Sequence, residues 1–259
     1  MSGPAAGRSK VIVVTGAASG MGRTAATRWA RQGHAVAAVD LSGDVLKELE
    51  AAAPNLTGFE CDVTDEAAVN RVVEEIRGRL GGIDRLVNAA GICISGSIGE
   101  LEPAAFRKVM EVNYFGTVHW VNAVYPAMRR QRGGEIVLFS SLGGYFPGPG
   151  VDAYIASKFA VLGLAECLQL QAQRDHVRLV CICPPPVDTP LLKGFMEGAS
   201  PKAQKLMRPM TPDQIVDAIE KKLAGRGLLL LPDATTKATY FARRLMPSLS
   251  VRLAGKFIG

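Results

Sequence analysis

Seven short runs of aliphatic and β-branched residues, most of them separated by a helical stretch, constrain this chain of 259 residues more than any other feature. Lys10–Thr15, Ala35–Asp40, Leu56–Cys61, Ile83–Asn88, Glu135–Ser140, Val177–Cys183 and Leu228–Leu231 each read as a buried strand. Between them the spacing of apolar residues predicts helices over Met21–Gln32, Asp44–Ala53, Thr64–Leu80, Pro103–Gln131, Asp152–Gln173 and Thr211–Leu223. Strands recur on the order of every thirty residues, the rhythm of a parallel sheet with helical crossovers. Being apolar on both faces, they need helices on both sides. The expectation is one doubly wound α/β domain of about seven strands over residues 1–259, with no linker to divide it.

Composition narrows the setting. Hydrophobic residues make up 48% and charged residues 21%, which suits a soluble globular protein. The first ten residues lack the apolar core of a secretory signal, and runs such as Val11–Val14 and Leu228–Leu231 are too short to span a bilayer. Five cysteines (Cys61, Cys93, Cys167, Cys181, Cys183) form no CxxC pair and read as reduced core residues of a cytoplasmic protein. His34, His119 and His176 are isolated, so no metal site is expected. The net charge of +6 is concentrated at one end: residues 226–259 carry six bases and one acid. A basic tail, rather than a basic protein, needs explaining, and no nucleic-acid partner is expected.

The turn after the first strand reads Thr15-Gly16-Ala17-Ala18-Ser19-Gly20-Met21-Gly22. Glycines here let the backbone turn tightly and approach a pyrophosphate, while the free N–H groups of the next helix face its charge. Asp40 ends the second strand, where a carboxylate can accept both adenosine ribose hydroxyls and repel a 2′-phosphate. Leu41, Ser42 and Ser19 bring no positive charge, so the cofactor expected is NAD(H) rather than NADP(H); the alternative is Asp40 as a helix cap. Asp62 and Val63 close the third strand, where an aspartate could bond the adenine amine. Asn88, Ala89, Ala90 and Gly91 close the fourth. Small residues there let the chain pass beneath a cofactor, and Asn88 could either touch it or tie strand ends together.

Tyr154 and Lys158 lie four residues apart on the helix predicted from Asp152, so phenol and ammonium share a face. A phenol with a pKa of about 10 is a poor base at neutral pH, and a nearby ammonium stabilises its anion. Ser141 follows the fifth strand, where a hydroxyl can bond a substrate carbonyl. Asn113 falls inside the Pro103–Gln131 helix, where an amide can bend the helix and hold a water near Lys158.

The set TGxxxGxG (Thr15–Gly22), NAAG (Asn88–Gly91), Asn113, Ser141 and YxxxK (Tyr154–Lys158), in this order, resembles the short-chain dehydrogenase/reductase family over about residues 8 to 232. The resemblance implies one Rossmann-type domain in a dimer or tetramer, and an oxidoreductase of alcohols and ketones. It implies that Tyr154 carries the proton while Lys158 holds the nicotinamide ribose and lowers the tyrosine pKa. Ser141 would position the carbonyl, Asn113 would support a relay water, and hydride would pass between nicotinamide and substrate.

One segment departs from the pattern. Cys183-Pro184-Pro185-Pro186-Val187-Asp188-Thr189 has Pro185 where the family usually has glycine. Pro184, Val187 and Thr189 keep the cofactor contacts available, while three prolines stiffen the loop and remove donors. The Pro-Pro run resembles long-chain sphingoid-ketone reductases, whose preference for NADPH Asp40 opposes. Ile92, Cys93, Ile94, residues 143–150, Leu191, Leu192, Phe195, Met196, Leu206, Met207 and Met210 make an apolar wall. Such a wall suits a steroid, retinoid or fatty-chain ketone; a lid closing on a small polar substrate or an acyl-thioester ketone is the alternative. The segment 236–259 reads as a basic amphipathic helix broken at Pro247, either touching a membrane weakly or packing on the core or another subunit. A non-catalytic NAD(H) sensor is the competing class, which the retained set Asn113, Ser141, Tyr154 and Lys158 opposes.

Overall fold

The computed structural model describes residues 9–148, 150–196, 208–250 and 252. The apolar runs become strands β1 (Val11–Thr15), β2 (Ala35–Asp40), β3 (Leu56–Glu60), β4 (Arg85–Asn88), β5 (Glu135–Phe139), β6 (Arg178–Ile182) and β7 (Leu229–Leu230). All pair in parallel in one sheet of order β3-β2-β1-β4-β5-β6-β7. The expected doubly wound architecture is present. Its order reverses direction between β1 and β4, the switch point outside whose carboxyl ends ligands bind in open sheets.

Helices cover both faces because successive strand residues point to opposite sides. Val13 faces a core shared with α3 (Glu66–Leu80) and, later in the chain, α5 (Gly116–Gln131) and α6 (Asp152–Arg174). Ile12 and Val14 face a second core formed with α1 (Gly20–Arg31), α2 (Gly43–Ala52) and α8 (Pro212–Leu223). Trp29, on α1, is fully buried in that second core and stacks under the Arg85 guanidinium at 4.9 Å; its truncation to alanine would cost about 3–5 kcal/mol. Helix starts follow local chemistry: Asp65 caps α3, and Thr211 with Gln214 forms a reciprocal capping box on α8.

Two features differ from the sequence pattern. The predicted helix Pro103–Gln131 is α4 (Pro103–Met110) and α5 joined by a π-helical turn, Glu111–Phe115. Within this wider turn Asn113 bonds the loop after β4 through its side-chain amide, and single π turns of this kind concentrate at functional sites. In addition, α7 (Pro190–Met196) follows β6, and α9 (Ala234–Leu245) follows β7. A break at Met246 and a further helical turn over 247–250 place the interruption at Pro247, as expected. Leu206, Met207 and the tail residues from Leu253 onward, named above, lie outside the described residues.

α6 is long and apolar enough, by length and composition, to cross a membrane, but it carries Tyr154 and Lys158 and packs on the sheet. Cys61, Cys181 and Cys183 are core residues, as expected; Cys93 and Cys167 correct that reading. Cys93 is half-buried in a cavity wall, and Cys167 is exposed on α6. His34 accepts the Lys10 N–H and His119 donates to the Val63 carbonyl at 3.0 Å.

Candidate active site

The carboxyl ends of β1, β2, β4, β5 and β6 converge on one crevice. Gly16 has φ +67°, and a Cβ there would lie 2.8 Å from the Ala90 backbone. A Cβ on Gly22 would collide with the Gly16 carbonyl. Only glycine allows this turn to close on α1 and on the Asn88–Gly91 loop at once. Ser19 stands exposed before the first turn of α1, with Met21 on that turn reaching the cavity described below. A Cβ on Gly20 would meet the Thr189 methyl at 3.0 Å, so the loop after β6 closes the other side of the same cradle.

Asp40 holds the cradle from the side. Its carboxylate accepts the Ala18 N–H at 2.9 Å and the Leu41 N–H at 2.8 Å, so it braces the glycine turn rather than capping α2. The Leu41 side chain is exposed. Asp62 accepts from the Thr64 N–H and hydroxyl, both at 2.8 Å, and Val63 is buried against Gly116. Asn88 is 3% exposed. It accepts from Thr15 Oγ1 at 3.0 Å and donates to Thr117 Oγ1 at 2.8 Å, which makes it a tie between β1, β4 and α5. The tie is one of the two readings open for Asn88; Thr15 Oγ1 also accepts the Ala90 N–H, fixing the loop above. These features fit a dinucleotide: a cradle that side chains would fill, N–H groups at a helix start, and a carboxylate at the end of β2.

The four residues expected to carry chemistry come together. Lys158, 5% exposed, donates to the Phe139 carbonyl at 2.9 Å, and its ammonium stands 5.5 Å from the centre of the Tyr154 ring. Burial pulls its pKa down to about 8, opposed only by the Cys181, Cys93 and Cys183 thiols. Burial likewise pushes the Tyr154 phenol up to about 12, against a hydrogen bond from Ser141 that favours the anion. Ser141 Oγ accepts the Gly143 N–H at 3.1 Å, which orients the hydroxyl at the head of a single 3₁₀ turn, Leu142–Gly144.

Asn113 is 1% exposed and bonds on three sides. Oδ1 accepts the Ile92 N–H at 2.8 Å, while Nδ2 donates to the Ile92 carbonyl at 3.0 Å and to Ser157 Oγ at 2.9 Å. It therefore clamps the loop after β4 to α6, beside the Lys158 ammonium. Two supporting hydroxyls have no recognisable sequence signal: Ser157 sits under Asn113, and Ser140 donates to the Lys158 carbonyl at 2.8 Å. Serines at such positions look like any helix or strand-end serine.

Above Tyr154 and Ser141 opens a cavity of about 560 Å³. Cys93, Leu142, Phe146, Val151 and Ile155 form one wall, and Pro184–Val187, Thr189, Leu191, Leu192 and Phe195 form another. The third wall was not anticipated in detail: Thr239 and Ala242 of α9, with Ser250 beyond it, close the cavity from the C-terminal end. Their hydroxyls are spent locally, Thr239 on the Thr235 carbonyl and Ser250 on the Pro247 carbonyl. Among the described residues, none that lines the cavity is charged. The proline run is fastened where it can be: Pro184 and Pro186 accept from Leu142 N and Met210 N, and Val187 bridges Met210. Pro185 is thus held between two residues whose carbonyls are both anchored, with Val187 paired just beyond.

The short chain dehydrogenase family profile matches residues 10–199. The chain therefore belongs to the short-chain dehydrogenase/reductase family, nicotinamide-dinucleotide oxidoreductases of alcohols and ketones. It is 37% identical to the 3-ketodihydrosphingosine reductase of Mus musculus over 81% of this chain and 67% of that protein. It is also 35% identical to the 2-(R)-hydroxypropyl-CoM dehydrogenase of Xanthobacter autotrophicus, over 82% of this chain and 90% of that one. Among solved structures, a short-chain dehydrogenase/reductase from Burkholderia phymatum in complex with NAD superposes with a TM-score of 0.83 at 26% identity, covering 93% of this chain and 95% of that one.

Proposed function

We propose that this protein uses NAD(H) to interconvert a secondary alcohol and a ketone on a lipophilic substrate. The observation that carries this reading is the cavity of about 560 Å³ that Ser141 and Tyr154 help to line, with no charge among its described lining residues. Burying an anion against these described residues would cost several kcal/mol with no cation among them to offset it, which favours an uncharged substrate body. A relative named for reducing 3-ketodihydrosphingosine supports the same substrate class.

When bound, the nicotinamide supplies or takes the hydride at the substrate carbon. In the reductive direction the Tyr154 phenol gives its proton to the ketone oxygen, and Ser141 holds that oxygen by a hydrogen bond. The Lys158 ammonium favours the phenolate left behind and offers N–H donors to a ribose. Asn113 keeps Lys158 and the loop after β4 in register. For the adenosine end, Asp40 supports NAD(H): its carboxylate would repel a 2′-phosphate, and Ser19 and Leu41 bring no cation to offset it. Gly16, Gly20, Gly22, Ala89, Ala90 and Gly91 would lie against the phosphates and nicotinamide ribose, with Asp62 and Val63 at the adenine and Val187 and Thr189 at the amide.

Exposed Phe115, Phe159 and Leu170 on and beside α6 support a homodimer or homotetramer, which sedimentation velocity would detect as a mass above 27.5 kDa. Five free cysteines fit a reducing, cytoplasmic setting. The direct test is a panel of long-chain, steroid and small polar ketones read as NADH and NADPH absorbance in parallel. Turnover confined to charged or small polar ketones, or to NADPH, would overturn the reading.

A further inference from the structure

α9 has two faces with different tasks. Thr239 and Ala242 line the cavity, Tyr240 packs edge-on against Tyr145 at 5.1 Å, and Thr236 is buried. On the opposite side Phe241 is 58% exposed and Leu245 77% exposed, with Met246 and Leu249 exposed just beyond. At 100° per residue, Lys237 and Arg244 lie side by side along one edge of Phe241 and Leu245 on that outer side. No acid occurs between Ala234 and Arg252, against four bases: Lys237, Arg243, Arg244 and Arg252. Two acids beside the helix have partners among the described residues. Asp233 caps α9 through the Thr236 N–H at 2.6 Å, and Glu166 stands 4.0 Å from Arg244. Lys222 adds a like charge: burial, then Arg178, then Lys237 lower its pKa.

We propose that this outer face docks on an anionic membrane surface, so that the helix walling the substrate cavity is also the part of the protein turned toward the lipid. Apolar side chains rimmed by cations are what an anionic interface takes up, each cation contributing about 1 kcal/mol near such a surface. A second copy of the chain is the poorer occupant, because a two-fold contact would set Lys237 and Arg244 against their own equivalents. Only one helix diameter, about 10–12 Å, separates the cavity wall from the docking face. Lipophilic substrate would then reach the cavity from the bilayer without crossing much water. That delivery role rests on the lipophilic-substrate reading; the docking itself does not.

The test is flotation of the full chain, without substrate, on vesicles of phosphatidylcholine with and without phosphatidylserine. Binding is expected only with phosphatidylserine, and should weaken as salt rises. Phe241→Ser with Leu245→Ser should lower partition about tenfold or more, and Lys237→Glu by a similar factor. Both variants should keep the melting temperature and the turnover of a water-soluble ketone. Failure of the wild type to bind phosphatidylserine vesicles, or binding undiminished in both variants, overturns the proposal. So does a loss of oligomer mass in the double variant by light scattering, which would assign the face to another copy. A wrong substrate class would appear in the ketone panel and leave vesicle binding unchanged.

Discussion

The two sides of the crevice are made in different ways. On the cofactor side the backbone does the shaping: Gly16 and Gly22 let three chain segments come within contact distance, and Asp40 and Thr15 lock them with hydrogen bonds to N–H groups. On the substrate side the shape comes mostly from side chains on segments far apart in sequence, from Cys93 to Ser250, with no charged group among the described ones. A rigid polar cradle suits a ligand that is always the same. An apolar wall assembled from four segments can change its volume by one substitution without disturbing the cradle. Tyr154 and Lys158 stand where the two meet, and they show the cost of the join: burial drives the phenol and the ammonium toward their neutral forms.

The largest effect should come from breaking that join. Tyr154→Phe removes the proton carrier and leaves the cradle intact, so turnover should fall about a thousandfold while NADH binding, read by fluorescence titration, changes little. Retained turnover would mean that proton transfer does not run through the cavity floor. Next is Asp40→Ala, which touches only the cradle. Relieving repulsion of a 2′-phosphate is worth several kcal/mol, so the ratio of kcat/KM for NADPH over NADH should rise about a hundredfold. The ketone preference should stay as it was. A ratio that does not move would remove Asp40 as the discriminator.

Lys158→Met separates stability from activity at the same join. Lysine in an unfolded chain titrates near 10.4, whereas Lys158 in the fold sits at about 8. Between these values the unfolded state binds more protons than the native one, so wild-type stability rises with pH from about 8 to about 10. Tyr154, held up at about 12, has the opposite effect only above about 10. At pH 7 the methionine variant is freed of the buried charge, less what it loses by orphaning the Phe139 carbonyl. It should be more stable on the order of 2 kcal/mol, inactive, and flat in melting temperature across that window. A variant whose melting temperature still climbs from pH 8 to 10 would show that Lys158 is not the group responsible.

The same contrast governs what could be read before the structure. Strand ends and glycine turns are local, so Gly16, Asp40, Asn113, Ser141, Tyr154 and Lys158 were all legible from spacing. Their roles were less so. Asn88 reads as tie or contact, and only the tertiary partners Thr15 and Thr117 reveal the tie. A helical period cannot reveal the π turn at Asn113, because the apolar pattern on either side continues in phase. Ser140 and Ser157 act through tertiary partners that have no sequence spacing. Cys93 and Cys167 carry no such signal as Cys61, Cys181 and Cys183 do at strand ends, and a free cysteine is buried more often than not. The C-terminal wall was the hardest to foresee: nothing in the amphipathic pattern of α9 says that its inner side faces a cavity rather than the sheet.

That wall also gives the finest test of the comparison. Ala242 points into the cavity from α9 and makes no bond that a larger residue would break. Ala242→Phe should fill part of the volume without touching the proton or hydride positions, which lie at the far end beside Tyr154. A long-chain ketone would then lose about tenfold in kcat/KM, mostly in KM, because one added side chain in an apolar pocket is worth about 1–3 kcal/mol. A short ketone that reaches only the floor should be turned over as before, and NADH should bind unchanged. If long and short ketones fell together, the C-terminal wall would be coupled to the cradle and the two sides of the crevice would not be separable. If neither changed, substrates would occupy only the space between Ser141 and Thr189, and α9 would be a wall the ligand never meets.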